Sequence, residues 1–98
     1  MIVSIHAEAD AELIAGAVHY ARQASQQTAD AFLDEFDYAV SLLTDFPGLG
    51  TPWRSGRARK FPIRRFPYSI VYYQTKARLR ILAVAHQSRA PEYWTGRK

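Results

Sequence analysis

The spacing of apolar residues changes near the middle of the chain. "MIVSI" (residues 1–5) is short, β-branched and apolar, and predicts a first strand. In "AEADAELIAGAVHYARQAS" (residues 7–25), Ala9, Leu13, Ala17, Tyr20 and Ala24 recur at helical spacing on one face. Gly16 weakens that helix by up to about 1 kcal/mol relative to alanine, or permits close approach by a neighbour. After the polar break "SQQT", "ADAFLDEFDYAVSLLTDF" (residues 29–46) places Ala29, Phe32, Phe36, Val40 and Leu43 on one stripe, widened by Leu33 and Ala39. Thr28 is its expected N-cap, and "FPGLGTP" its stop. The short break predicts two antiparallel helices forming a hairpin.

Beyond residue 56 the period shortens. "RARKFPIRRF", "YSIVYYQ" and "RLRILAVAH" read as three strands joined by short separators, an antiparallel meander. Pro62 assigns the first of these to an edge or a bulge. In the last run, alternation sends Leu79, Ile81, Ala83 and Ala85 to one face and Leu82, Val84 and His86 to the other. Both faces of its middle are apolar, so each needs a cover. The hairpin covers one; the C-terminal tail, a bound partner, or both must cover the other. The expected fold is α+β, β-α-α-β-β-β, with the helical hairpin packed on a mostly antiparallel four-stranded sheet.

Composition adds boundaries. A 98-residue chain fits one domain, residues 1–98, and buries only about two-thirds of its unfolded surface. It has no cysteine, so neither disulfides nor thiolate zinc can supplement the core. The N-terminus lacks a basic region before its acidic residues, and no apolar run approaches the roughly 20 residues of a membrane span. A soluble cytoplasmic protein with no membrane role is expected. Charge is divided: residues 1–50 carry one basic and eight acidic side chains, a net of −7, whereas residues 51–98 carry twelve basic and one acidic, a net of +11. Either a polyanionic or acidic partner answers the basic half, or the two halves attract each other across one fold.

Three segments carry a resemblance: "FPGLGTPWR" after the second helix, "RRFPYSIVYY" across two strands, and "ILAVAHQSRAPEYWTGR" at the end. Together with the element order they resemble the RelE/ParE superfamily of toxins from type II toxin–antitoxin pairs, over nearly the whole chain. The resemblance implies a growth inhibitor neutralised by a cognate antitoxin. RelE-like members cut messenger RNA on the ribosome; ParE-like members poison DNA gyrase without known hydrolytic chemistry of their own.

Cleavage of RNA through its 2′-hydroxyl needs a base, an acid and cations at the phosphorane. If the chain is a ribonuclease, His86, Arg65, Arg89 and Tyr93 are its candidates. Ribonuclease-type relatives, however, place an arginine where this chain has Ser69, and an arginine or tyrosine where it has Gln87. The resemblance therefore favours the ParE-like branch, without intrinsic catalysis. Arg65, Arg89, Tyr93, Trp94 and Arg97 are then the target-binding candidates, while Leu82 and Val84 are those for an acidic, amphipathic antitoxin segment. Plainer roles compete. His86 can be a strand-end histidine whose ring makes a hydrogen bond and packs. Tyr93 and Trp94 can plug the open face of the last strand. "RSGRARK" can be a solvated loop. His6 and His19 have no second ligand at sensible spacing, so no metal and no cofactor are expected. A non-toxic module that binds only an antitoxin has the same sequence signature, and a homodimer or a hetero-oligomer with the antitoxin both remain open.

Overall fold

The computed structural model describes residues 1–54 and 56–98; Ser55, within the basic run "RSGRARK", lies outside the described residues. The order is β1 (Ile2–Ile5), α1 (Ala7–Gln23), α2 (Gln26–Asp45), β2 (Thr51–Pro52), β3 (Arg59–Pro62), β4 (Tyr68–Gln74) and β5 (Arg78–His86). The strands form one mixed sheet in the order β1-β5-β4-β3-β2, with β1 parallel to β5 and the remaining pairs antiparallel. It has five strands rather than the four expected, because two residues of the helix-stopping segment, Thr51 and Pro52, pair with Lys60 and Arg59. Arg59 and Lys60, shared by the loop reading of "RSGRARK" and the strand reading of "RARKFPIRRF", are strand residues. Since β2 pairs no further than Lys60, the missing N–H of Pro62 removes no bond on that side.

Both helices start on side-chain caps. His6 Nδ1 accepts the Glu8 N–H at 3.1 Å and opens α1. Ser25, not Thr28, caps α2: its Oγ accepts the Thr28 N–H at 3.0 Å, and Gln26 bonds Asp30 one turn on. Ser25 captures the amide three residues ahead, so the helix begins a turn earlier than its apolar stripe. At Gly16 a Cβ would lie 2.9 Å from Cε2 of Phe32 and 3.3 Å from the Tyr68 hydroxyl. This glycine lets α1 close on α2 and β4, and the helix-propensity cost is offset by that contact.

The hairpin buries one face of the sheet. Phe32, Phe36 and Leu43 of α2 meet Ile70 and Tyr72 of β4 and Leu79, Ile81 and Val84 of β5. Val84 was expected on the opposite face. The register explains the change: Tyr72 pairs with Ile81 but Val71 with Ala83, so Leu82 is an extra residue in β5. A bulge reverses the alternation beyond it. Val84 therefore joins the hairpin side, while Leu82, Ala83 and Ala85 face outward.

The outward face is also sealed. Trp94 from the tail covers Val71, Leu82 and Ala83, with Trp53, Tyr73 and Tyr93 around it. Trp53 meets Trp94 edge-on at 4.9 Å. Of the two covers anticipated for this face, the chain supplies its own. On the other flank, the loop after α2 is strapped to the sheet. The Tyr72 hydroxyl donates to Pro47 O at 2.7 Å and accepts the Gly50 N–H at 2.9 Å, while Arg59 donates to Gly50 O at 2.7 Å.

Gly16→Val is expected to lower stability by about 1–3 kcal/mol through overpacking against Phe32. Gly48→Ala, where a Cβ meets nothing within 4 Å, should leave it within about 0.5 kcal/mol. Urea denaturation of the two variants checks this.

Candidate functional site

At the end of β5 the chain turns sharply. Gln87 N donates to Pro67 O at 2.9 Å and Arg89 N to His86 O at 3.0 Å, which folds the tail back over the sheet. His86, Arg89 and Tyr93 form a ridge between two cavities. One, of about 330 Å3, lies against α1 and is also lined by Glu12, His19 and Tyr68. The other, of about 190 Å3, opens on the outward face and is also lined by Lys60, Ser69 and Gln87.

The His86 ring stands edge-on to Tyr68, with centroids 5.0 Å apart. Its Nδ1 accepts the Ser88 N–H at 3.0 Å and lies 2.8 Å from Ser88 Oγ. In the neutral ring this leaves the proton on Nε2, so the free nitrogen is a donor rather than a base. The packed, hydrogen-bonded strand-end histidine foreseen from sequence is what the geometry shows.

Tyr93 lies between two guanidinium groups, Arg89 at 4.0 Å and Arg97 at 5.0 Å from its ring centre. Burial pushes its hydroxyl up to about 12; the adjacent Glu12 carboxylate adds to the shift, and Arg97 and Arg89 oppose it. Arg97 forks onto Glu12, Nη1 to Oε1 at 2.9 Å and Nη2 to Oε2 at 3.1 Å, and reaches Leu82 O at 3.1 Å. Its Nε is 3.3 Å from Glu8. The two side chains of the fork are only 11% and 15% exposed. Glu12 holds Arg97 firmly protonated, against the opposing effect of burial. Glu12 Oε1 also accepts the Val84 N–H at 3.0 Å, two residues past the bulge.

The sequence candidates are thus divided. His86, Arg89 and Tyr93 come together. Trp94 lies beneath them, 4% exposed, as a core residue. Arg97, expected to face a target, is committed to Glu12 and Glu8 because its fork fits a carboxylate held at the helix start. Arg65 lines neither cavity; it sits in the β3–β4 turn at φ 73°, exposed, 3.8 Å from the buried Glu35 of α2. Leu82 and Val84, the expected antitoxin contacts, are 4% and 1% exposed and lie on opposite faces, so the chain offers neither as an open surface. Sequence reasoning missed Glu12, Tyr68 and Lys60. Glu8 and Glu12, four residues apart on α1, were a signal: one helix face presents two carboxylates, and the basic tail is their natural partner. Among the described residues no three His, Cys, Asp or Glu side chains are grouped to hold a metal, and no helix is long and apolar enough to cross a membrane.

The family model for the ParE toxin of the type II toxin–antitoxin system parDE matches residues 3–91. Among solved structures, the chain resembles one from the chromosomal ParDE TA system of P. aeruginosa. The TM-score is 0.78 at 22% identity, covering 88% of this chain and 95% of that one. At that identity the likeness is one of fold. No curated protein matches.

Two outcomes are expected from the ridge. Arg97→Met leaves the Glu12 charge buried and unpaired and should cost about 3–5 kcal/mol; Glu12→Gln with Arg97→Met, which keeps an acceptor for Val84 N–H, should cost less. Chemical denaturation of both variants at pH 7 tests the pair. Tyr93, raised to about 12 when folded, ionises near 10 when unfolded. The unfolded state therefore releases this proton first, and the contribution is complete below pH 10 and lost as pH rises towards 12. Tyr93→Phe should flatten that part of the alkaline loss, with Tyr20, Tyr68 and Tyr72, raised in the same direction, supplying what remains.

Proposed function

The chain belongs to the ParE toxin family of type II toxin–antitoxin systems, and from that premise we propose that it inhibits growth by binding DNA gyrase and is neutralised by a cognate antitoxin. The state of His86 carries the choice of target. Its Nδ1 is taken by Ser88, so the ring has no free lone pair for a hydroxyl proton. The neighbouring positions are Ser69 and Gln87, neutral groups that supply no charge to a phosphorane. A binding role asks less of this ridge: Arg89 stacked on Tyr93 offers an ordered cation and a ring edge to a protein surface.

The antitoxin reading is supported by a different region. A mostly apolar groove of about 350 Å3 runs between α2 and β3, lined by Tyr38, Leu42, Phe61 and Pro62, and by Glu35 and Arg64, which pair with each other at 3.3 Å. Phe46 and Leu49, at 61% and 49% exposure, continue the apolar surface just past α2. The apolar face of an amphipathic segment matches that floor, and the groove replaces Leu82 and Val84 as the place to expect it.

A second reading, a ribosome-dependent endoribonuclease, is favoured by one observation: the outward cavity gathers Lys60, Arg89 and Tyr93 around a space large enough for a phosphate.

The purified chain should inhibit gyrase supercoiling and trap broken DNA, and the product of an adjoining antitoxin gene, added first, should restore supercoiling. No inhibition at high molar excess, with new cuts inside translated codons on primer extension after induction, would instead select the ribonuclease.

A further inference from the structure

We infer that the outward face of the sheet binds the phosphate backbone of duplex DNA directly. This goes beyond the gyrase reading and does not rest on it. Alternation places Arg78 and Arg80 opposite Leu79 and Ile81, which are packed under the hairpin, so both arginines stand on the outward side; Arg78 is exposed, whereas Arg80 donates to Lys98 O from Nε at 3.2 Å and Nη2 at 3.1 Å. Tyr73, the partner of Arg80 in the ladder, belongs to the outward cluster and carries Arg57 stacked on its ring at 3.9 Å. Lys76 is exposed in the turn between β4 and β5, and Lys60, paired with Val71, faces the same way further along. Glu92, the sole carboxylate side chain of residues 51–98, is engaged by Arg54. The remaining carboxylate side chains belong to residues 8–45, on α1 and α2.

Two properties select nucleic acid over an acidic protein. First, the apolar opening on this face is small: Trp94 closes over Val71, Leu82 and Ala83, leaving a cavity of about 220 Å3 lined by Trp53, Tyr73 and Trp94 together with Arg57 and Arg97. A protein partner draws much of its affinity from apolar burial at the middle of the interface, and this small cavity, with two arginines in its lining, offers little of it. Affinity for a nucleic-acid backbone comes from cations and released counterions, which this face retains. Second, stacking on Tyr73 restrains the Arg57 guanidinium while leaving its N–H edge open, the geometry that pairs with phosphate oxygens. The acidic helices on the far side repel the same polyanion and orient the approach.

The test is fluorescence anisotropy of the full chain with a labelled 20-base-pair duplex of mixed sequence, from 50 to 200 mM NaCl. About four neutralised phosphates predict a slope of log affinity against log salt near −3.6. Arg57→Glu with Arg78→Glu should weaken binding at least about tenfold and reduce the magnitude of that slope by about 2. Asp34→Asn with Asp37→Asn, on the helices, should not weaken it. If the double reversal does not fold by circular dichroism, Lys76→Glu with Arg78→Gln provides the same reading. Absence of duplex binding at 50 mM salt overturns the inference, as does equal affinity in folded charge-reversed variants. A polyglutamate peptide of matched charge that binds as tightly as the duplex overturns it in favour of an acidic protein partner. Because gyrase is absent from the assay, failure here leaves the gyrase reading standing, and failure to inhibit gyrase leaves this one standing.

Discussion

Strand β5 is dry on both faces, and the rest of the fold answers that constraint. Leu79, Ile81 and Val84 require a cover on one side, and Leu82 and Ala83 on the other. Fully burying a large aliphatic side chain stabilises by about 1.5–3 kcal/mol, a substantial fraction of the whole margin of a domain this small. The hairpin supplies the first cover, and Gly16 lets it come close enough. The tail supplies the second through Trp94. Glu12 joins the two at the margin of the strand: one oxygen takes the Val84 N–H, and the carboxylate as a whole takes the Arg97 fork. One side chain of α1 thereby satisfies an amide beyond the end of the β1 pairing and anchors the last residues of the chain.

That arrangement explains why some of the fold was legible in the sequence. The last two strands were read with the bounds observed, because their apolar runs are flanked by turn residues and their pairing is local. The hairpin was legible because its stripe has the helical period over many residues. The bulge was not legible. A single extra residue leaves no mark in composition or period, yet it reversed the assignments of Ala83, Val84 and Ala85. The cap of α2 was misplaced by three residues because Ser25 and Thr28 are equally good acceptors in isolation; Ser25 prevails by reaching the Thr28 amide.

The site was legible only in its residue types. His86, Arg89 and Tyr93 share a ridge because they follow one strand end within eight residues, which sequence proximity alone made plausible. Arg97 looked equally free. Its commitment to Glu12 joins positions 85 residues apart, and nothing local encodes that. Arg65 stood beside Arg89 only as a candidate by residue type, and its turn directs it to Glu35. Long-range pairing, rather than propensity, decided which cations are bound up and which face solvent.

The division of charge then acquires a structural meaning. Attraction between the halves is real but local: Arg97 with Glu8 and Glu12, and Arg64 and Arg65 with Glu35. These pairs engage three of the twelve cations in residues 51–98 and sit at the borders between helices and sheet. The arginines and lysines on the outward face have no carboxylate of α1 or α2 beside them, because the thickness of the sheet lies between. A fold stabilised by its own charges would be expected to interleave them. This one gathers most of its cations on the outward side of the sheet and all its carboxylate side chains but Glu92 on the helices, so that Arg57, Lys76 and Arg78 stand as a cationic surface. Segregation of this kind leaves a long-range field that draws anionic surfaces to the outward face.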